Sequence, residues 1–153
     1  PVILSEDEMI HHIQAQSWMD PHKSSLMALD ISNTAIGVAI TDNKREIVRP
    51  LTKIKLHGRD RLPKCKVKIV NVLEGLMDNN GVCGVVLGWP LDLEGKAGFR
   101  CHSILSYLRE LHMSKSITVP FVLWDERFTT EAAKHLLKDM RKSDSKIQKM
   151  NDM

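Results

Sequence analysis

The sequence has few cysteines, and those it has are poorly placed for structural chemistry. Only Cys65, Cys83 and Cys101 occur in 153 residues. An odd number without CxxC spacing excludes a disulfide framework and a zinc cluster. It points instead to reduced thiols in an intracellular compartment, cytoplasmic or organellar. Histidine offers no metal site either, because His57, His102, His112 and His135 show neither HxxxH nor HxH spacing. No apolar run approaches about 18 residues, which excludes a transmembrane helix and a membrane partner. No secretory signal pattern is present, and the opening Pro1-Val2 reads as a fragment or a processed form. The glycine-rich phosphate loops of a sugar- or acetate-kinase-like ATPase are missing, as is the length. Neither Cys101 nor Ser103 sits in a nucleophile motif, and no repeat or low-complexity tract occurs.

What is there suits one core. The length is enough for a single domain and too short for two. A formal net charge of +3 permits a phosphate-rich partner without requiring one. Residues 1–24 read as an N-terminal tail or peripheral amphipathic helix, with Met9, Ile10, Ile13 and Trp18 as its apolar positions. Asp20-Pro21-His22 breaks that pattern, and residues 25–153 form the domain proper.

Within it, residues 26–30 are a short apolar run ending in Asp30, which reads as a buried strand. Residues 36–40 are a second, and residues 47–56 a third, with Pro50 placing part of it at an edge. These three predict an antiparallel meander. Val67, Ile69, Val70, Leu73, Leu76 and Met77 then mark a helix stopped by Asn79-Asn80-Gly81. Residues 82–87 form a strand closed by Gly88-Trp89-Pro90, residues 103–112 a helix, and residues 119–124 a strand running into Asp125-Glu126-Arg127. Thr129 or Thr130 caps a further helix. The order predicts a mixed α/β sheet.

Three of these strands end in unusual residues: Asp30, Gly88-Trp89-Pro90, and Asp125-Glu126. In open α/β sheets, ligands collect beyond the carboxyl ends of strands. Carboxylates brought to one point repel unless a cation sits among them, and hard oxygen donors select Mg²⁺ or Mn²⁺. Taken singly, Asp30 reads as readily as a turn residue bonding backbone amides, and Asp125-Glu126-Arg127 as a salt-bridged helix start. The pair, each closing an apolar strand, favours a metal site suited to phosphoryl chemistry. Lys64, Lys66, Lys68 and the basic stretch 141–149, which includes Lys142, are candidate phosphate contacts, though solvated lysines are the commoner case. Trp89 is a candidate for base stacking, and packing beside its loop is the stronger alternative.

Three segments together resemble the YqgF family, the Holliday-junction-resolvase-like members of the RNase H-like superfamily. The stretch DISNTAIGVAITD from Asp30 to Asp42 resembles DxGxxxIGVAxxD; VLGWPLDLEG from Val86 to Gly95 resembles VVGxPxxxxG; DERFTTEAA from Asp125 to Ala133 resembles DERxTTxxA. The match runs across residues 26–153. It implies an RNase H-like fold with a mixed five-stranded sheet, a three-strand antiparallel meander plus two parallel strands, and helices on both faces. It also implies a metal-dependent endonuclease acting on precursor 16S rRNA or, alternatively, on a four-way DNA junction. Asp30, Asp125, Glu126 and Asp152 are then the catalytic and metal-holding acids. Arg127, Gly88, Pro90, Thr129 and Lys142 are the substrate contacts, and a homodimer is implied by analogy with junction resolvases. The sequence departs from the pattern in three places. Ser32 replaces a glycine in a turn that favours positive φ, Ala35 replaces a basic residue, and the chain stops one residue after Asp152, without the family's last helix. A binding module of the same fold that has lost catalysis is the alternative these departures favour.

Overall fold

The computed structural model describes residues 2–32, 34–57, 63–89 and 99–125. Along them run β1 (Ile3–Leu4), α1 (Glu6–Met19), β2 (Ser25–Ile31), β3 (Ala35–Thr41), β4 (Val48–Lys55), α2 (Pro63–Asn79), β5 (Val82–Trp89), α3 (Phe99–Met113) and β6 (Phe121–Asp125). The strands form one sheet in the order β1-β6-β5-β2-β3-β4. β2, β3 and β4 are the antiparallel meander, while β5 runs parallel to both β2 and β6. The five strands read from the sequence are all present. The sixth, β1, is a two-residue strand in the segment read as tail or helix; it lies parallel to β6, and Phe121 N donates to Val2 O at 2.8 Å.

The sheet is two-sided because its strands alternate. In β2, Ser25, Met27, Leu29 and Ile31 are buried, whereas Ala28 and Asp30 are exposed. The buried set meets Ile36 and Val38 of β3, Val85 and Leu87 of β5, and Phe121 of β6. On them lie Leu73 and Met77 of α2 and Tyr107 and Leu111 of α3. Each such side chain contributes roughly 1.5–3 kcal/mol of burial, so this face fixes the register. The opposite face is covered at one end by α1. There Met9 is buried against Gly84, where an added Cβ would come within 2.9 Å of its sulfur, and His12 Nε2 lies 2.9 Å from Cys83 O. Ser5 begins α1 with a capping box: its hydroxyl accepts from Glu8 N while the Glu8 carboxylate accepts from Ser5 N. No helix among the described residues is long and apolar enough to cross a membrane.

Two boundaries differ from the sequence reading. β5 continues through Gly88 and Trp89, which the sequence places in a loop, because both keep pairing with β6 (Gly88 with Trp124, Trp89 with Asp125). Ser32 does not adopt positive φ; the non-glycine residue that does among those described is Arg45. The Ser32 hydroxyl accepts from Ala35 N at 3.1 Å and Thr34 N at 3.3 Å, so a side chain holds the turn without a left-handed residue at that position. Pro50 does lie on an edge strand, next to a register shift.

Gly81 ends α2 with φ +60, and a Cβ there would sit 2.3 Å from His22 O. Gly81→Ala should therefore lose at least about 1–3 kcal/mol, measured by urea unfolding; an unchanged midpoint would show that the His22 turn yields freely. Burial pushes the Cys83 thiol up, against weaker opposing effects of Arg45, a backbone hydrogen bond and Lys23. A smaller thiolate fraction and a buried sulfur predict that Cys83 resists alkylation at neutral pH while the half-buried Cys65 is labelled. Peptide mapping after a timed pulse checks this, and equal labelling of the two would refute it.

Candidate active site

Among the described residues, the part of the α1 face beyond that helix is a cavity of about 600 Å³. One row of its lining residues runs across five strands. Trp124 of β6 pairs with Gly88 of β5. Leu29 pairs with Leu87, which sets Gly88 beside Asp30 of β2. Asp30 pairs with Gly37 of β3, and Gly37 with Lys53 of β4. Asp30 therefore stands between two glycines, with nothing larger than hydrogen on the flanking strands of its row. Its carboxylate is exposed and bonds no described residue.

Among the described residues, Asp30 therefore takes no part in holding the turn. The turn that follows is held by Ser32, not by Asp30. Asp42, the second acid of the first motif, has the opposite character. Its Oδ1 accepts from Glu46 N at 2.8 Å and Ile47 N at 3.2 Å, so it shapes the β3–β4 turn at the far end of β3. Gly37 is not forced by crowding: a Cβ there would meet Asp30 Cβ at 3.8 Å, an ordinary contact. The space beside Asp30 is open because the residue is glycine, not because the backbone forbids anything larger.

The other acids are placed less fully. Asp125 is the last residue of β6, in register with Trp89 and next to the cavity residue Trp124. Glu126, Arg127, Thr129, Lys142, Asp152 and Pro90 lie outside the described residues, as does the helix expected after Thr129. Gly88 lines the cavity from within β5. Among the described residues no three His, Cys, Asp or Glu side chains converge. The described part of the site thus offers one free hard-oxygen donor, which suits a hard divalent cation and not a soft one.

The lysines of α2 and the residues lining the cavity lie on opposite faces of the sheet. Lys64, Lys66 and Lys68 ride on α2, whose core residues cover the face opposite Asp30. Lys66 donates to Ser106 Oγ and lies 5.7 Å from the Tyr107 ring centroid, which ties α2 to α3. Trp124, Arg49 and Lys53 line the cavity instead. Period-2 alternation from Asp30 across the paired strands was the signal available for Lys53, but it requires the register, which sequence alone does not supply.

The chain is similar to known proteins in sequence and in fold. A family model described as "RuvX: Holliday junction resolvase" matches residues 24–153. The chain is 34% identical over 113 residues to a Rickettsia conorii protein named "Putative pre-16S rRNA nuclease", covering 74% of this chain and 68% of that one. A protein of the same name from Rickettsia akari is 32% identical over 130 residues, covering 85% and 79%. One from Ruegeria pomeroyi is 33% identical over 119 residues, covering 76% and 70%. In fold, the chain is similar to Thermus thermophilus RuvC, solved in complex with a Holliday junction substrate. The TM-score is 0.52 at 10% identity, over 70% of this chain and 68% of that one. With an RNase H-like resolvase as structural neighbour and a family model spanning all but the first 23 residues, the chain belongs to the RuvX (YqgF) family of Holliday-junction-resolvase-like proteins.

Proposed function

We propose that this chain is a metal-dependent endonuclease that hydrolyses a phosphodiester in structured nucleic acid, precursor 16S rRNA being the first substrate to test. The observation that carries this reading is the exposed Asp30 carboxylate, which bonds no described residue and is set between Gly37 and Gly88 on the face that α1 leaves open. A buried or bonded aspartate would serve the fold; an exposed one in a glycine-walled trough leaves its oxygens for a ligand. The family and the named activity of its relatives support the same chemistry.

Resolvase-like nucleases of this fold use divalent metal ions, and Asp30 would hold one as a strand ligand. Asp125, Glu126 and Asp152 are proposed as the remaining acids, with Mg²⁺ or Mn²⁺ as the ion. Two such ions about 3.5–4 Å apart supply an activated water and a stabilised leaving oxygen. The chain's own part is positioning. Gly37 and Gly88 let the sugar-phosphate backbone approach the carboxylate closely, and Trp124 bounds the trough on the β6 side. Arg127, Pro90, Thr129 and Lys142 are proposed as further substrate contacts. A four-way DNA junction is the alternative substrate, and a homodimer belongs to that version of the reading.

Cleavage of labelled precursor rRNA and of a four-way junction, with Mn²⁺ or with EDTA, tests this. Cutting should require metal and fall about 10²–10³-fold in Asp30→Asn, the equivalent of several kcal/mol of metal-borne stabilisation. Asp30 is exposed, so the variant should unfold at the parent's temperature. Undiminished cutting by Asp30→Asn would remove Asp30 from the metal site. Binding without any cutting would leave a nucleic-acid-binding module.

A further inference from the structure

The cavity holds charges of both signs, and they are sorted by strand. Among its described lining residues, Asp30 is the carboxylate and sits on β2, while Arg49 and Lys53 are the cations and sit on the edge strand β4. Lys53 occupies the same row as Asp30, with Gly37 between them. Two strand spacings, about 9–10 Å, separate the backbones of Asp30 and Lys53, and Gly37 puts no side chain in the gap. Lys55 follows on the same face by alternation, paired with Ala35. Both lysines thus face a partner small enough to let a flexible four-carbon stem lean inward. Both are exposed, and neither bonds a described residue.

Resting on the nuclease reading above, we propose that Lys53 and Lys55 form a phosphate rail. The nucleic-acid strand crosses the open face from Asp30 over Gly37, and its phosphates beyond the cleaved bond are neutralised on β4. The charge order fits a polyanion held at a metal-bearing carboxylate. Negative phosphate next to Asp30 needs a cation there, whereas phosphate two strands away meets lysine directly. Lysines on an edge strand also discourage pairing with foreign sheets. That duty does not require a place in the carboxylate's own row, nor a glycine opposite.

The rail is tested by equilibrium binding, not by turnover. Fluorescence anisotropy of a labelled junction and a labelled RNA stem-loop is followed in EDTA across a salt series. The parent chain, Lys53→Gln/Lys55→Gln, Lys53→Arg/Lys55→Arg and Lys64→Gln/Lys68→Gln are compared. The last pair removes the same charge from exposed positions on α2. Each lost phosphate contact lowers the slope of log affinity against log salt by about 0.9 on duplex DNA. The rail therefore predicts a drop of about 1.8 for the β4 glutamine pair on the junction, none for the arginine pair, and little for the α2 pair. A parental slope in the β4 pair, or equal drops in the β4 and α2 pairs, overturns the rail even if Asp30-dependent cutting is found. A β4-specific drop in a chain that never cuts upholds the rail and defeats the nuclease reading. A parent chain that binds neither probe overturns both.

Discussion

Everything at the candidate site depends on β2 being buried on one side and bare on the other. Met27, Leu29 and Ile31 are locked beneath α2 and α3, and a slip of one residue would expose all three. The cost of that slip holds Asp30 on the open face as firmly as any bond to the carboxylate could. Among the described residues the acid has no bonding partner, and its exposure is a by-product of hydrophobic register. The same logic orders its neighbours. Leu87 and Val38 are buried on the core side, so Gly88 and Gly37 must come up on the other, one on either side of Asp30.

Much of this was legible in the sequence, and the failures have physical causes. Apolar runs found β2, β3, β5 and β6 because each is buried on at least one face, and the run ending in Asp30 drew attention to that acid. The exit of β5 was misplaced because glycine and proline are read as punctuation. Gly88 and Trp89 remain paired only because β6 runs alongside, which is non-local information. β1 was invisible because two residues carry no period. The sequence could not say on which face a lysine lies. Those on α2 cluster in sequence and attract notice, whereas Lys53 becomes meaningful only when Gly37 and Asp30 are aligned with it. Trp124 was passed over for the same reason, standing beside the more conspicuous Asp125.

The motif acids divide once their surroundings are seen. Asp30 and Asp42 bracket one hairpin and look alike in the pattern, yet the Asp42 carboxylate accepts from two backbone amides and that of Asp30 bonds no described residue. Ser32 shows how a departure from a glycine pattern is tolerated. A hydroxyl that bonds Thr34 and Ala35 supplies the turn by side-chain hydrogen bonding instead of backbone freedom. The turn is therefore no argument against a working site.

The pairing of β1 with β6 joins the earliest strand of the chain to the latest described, across more than a hundred residues. The meander joins neighbours along the chain through short loops, whereas this edge closes a far longer loop and costs more chain entropy to form. Phe121 at the start of β6 is bonded to Val2, so β6, which leads to Asp125, is held on one side by β5 and on the other by residues 2–4. A change in that short N-terminal segment therefore acts on the strand that carries Asp125, although the two lie at opposite ends of the described residues.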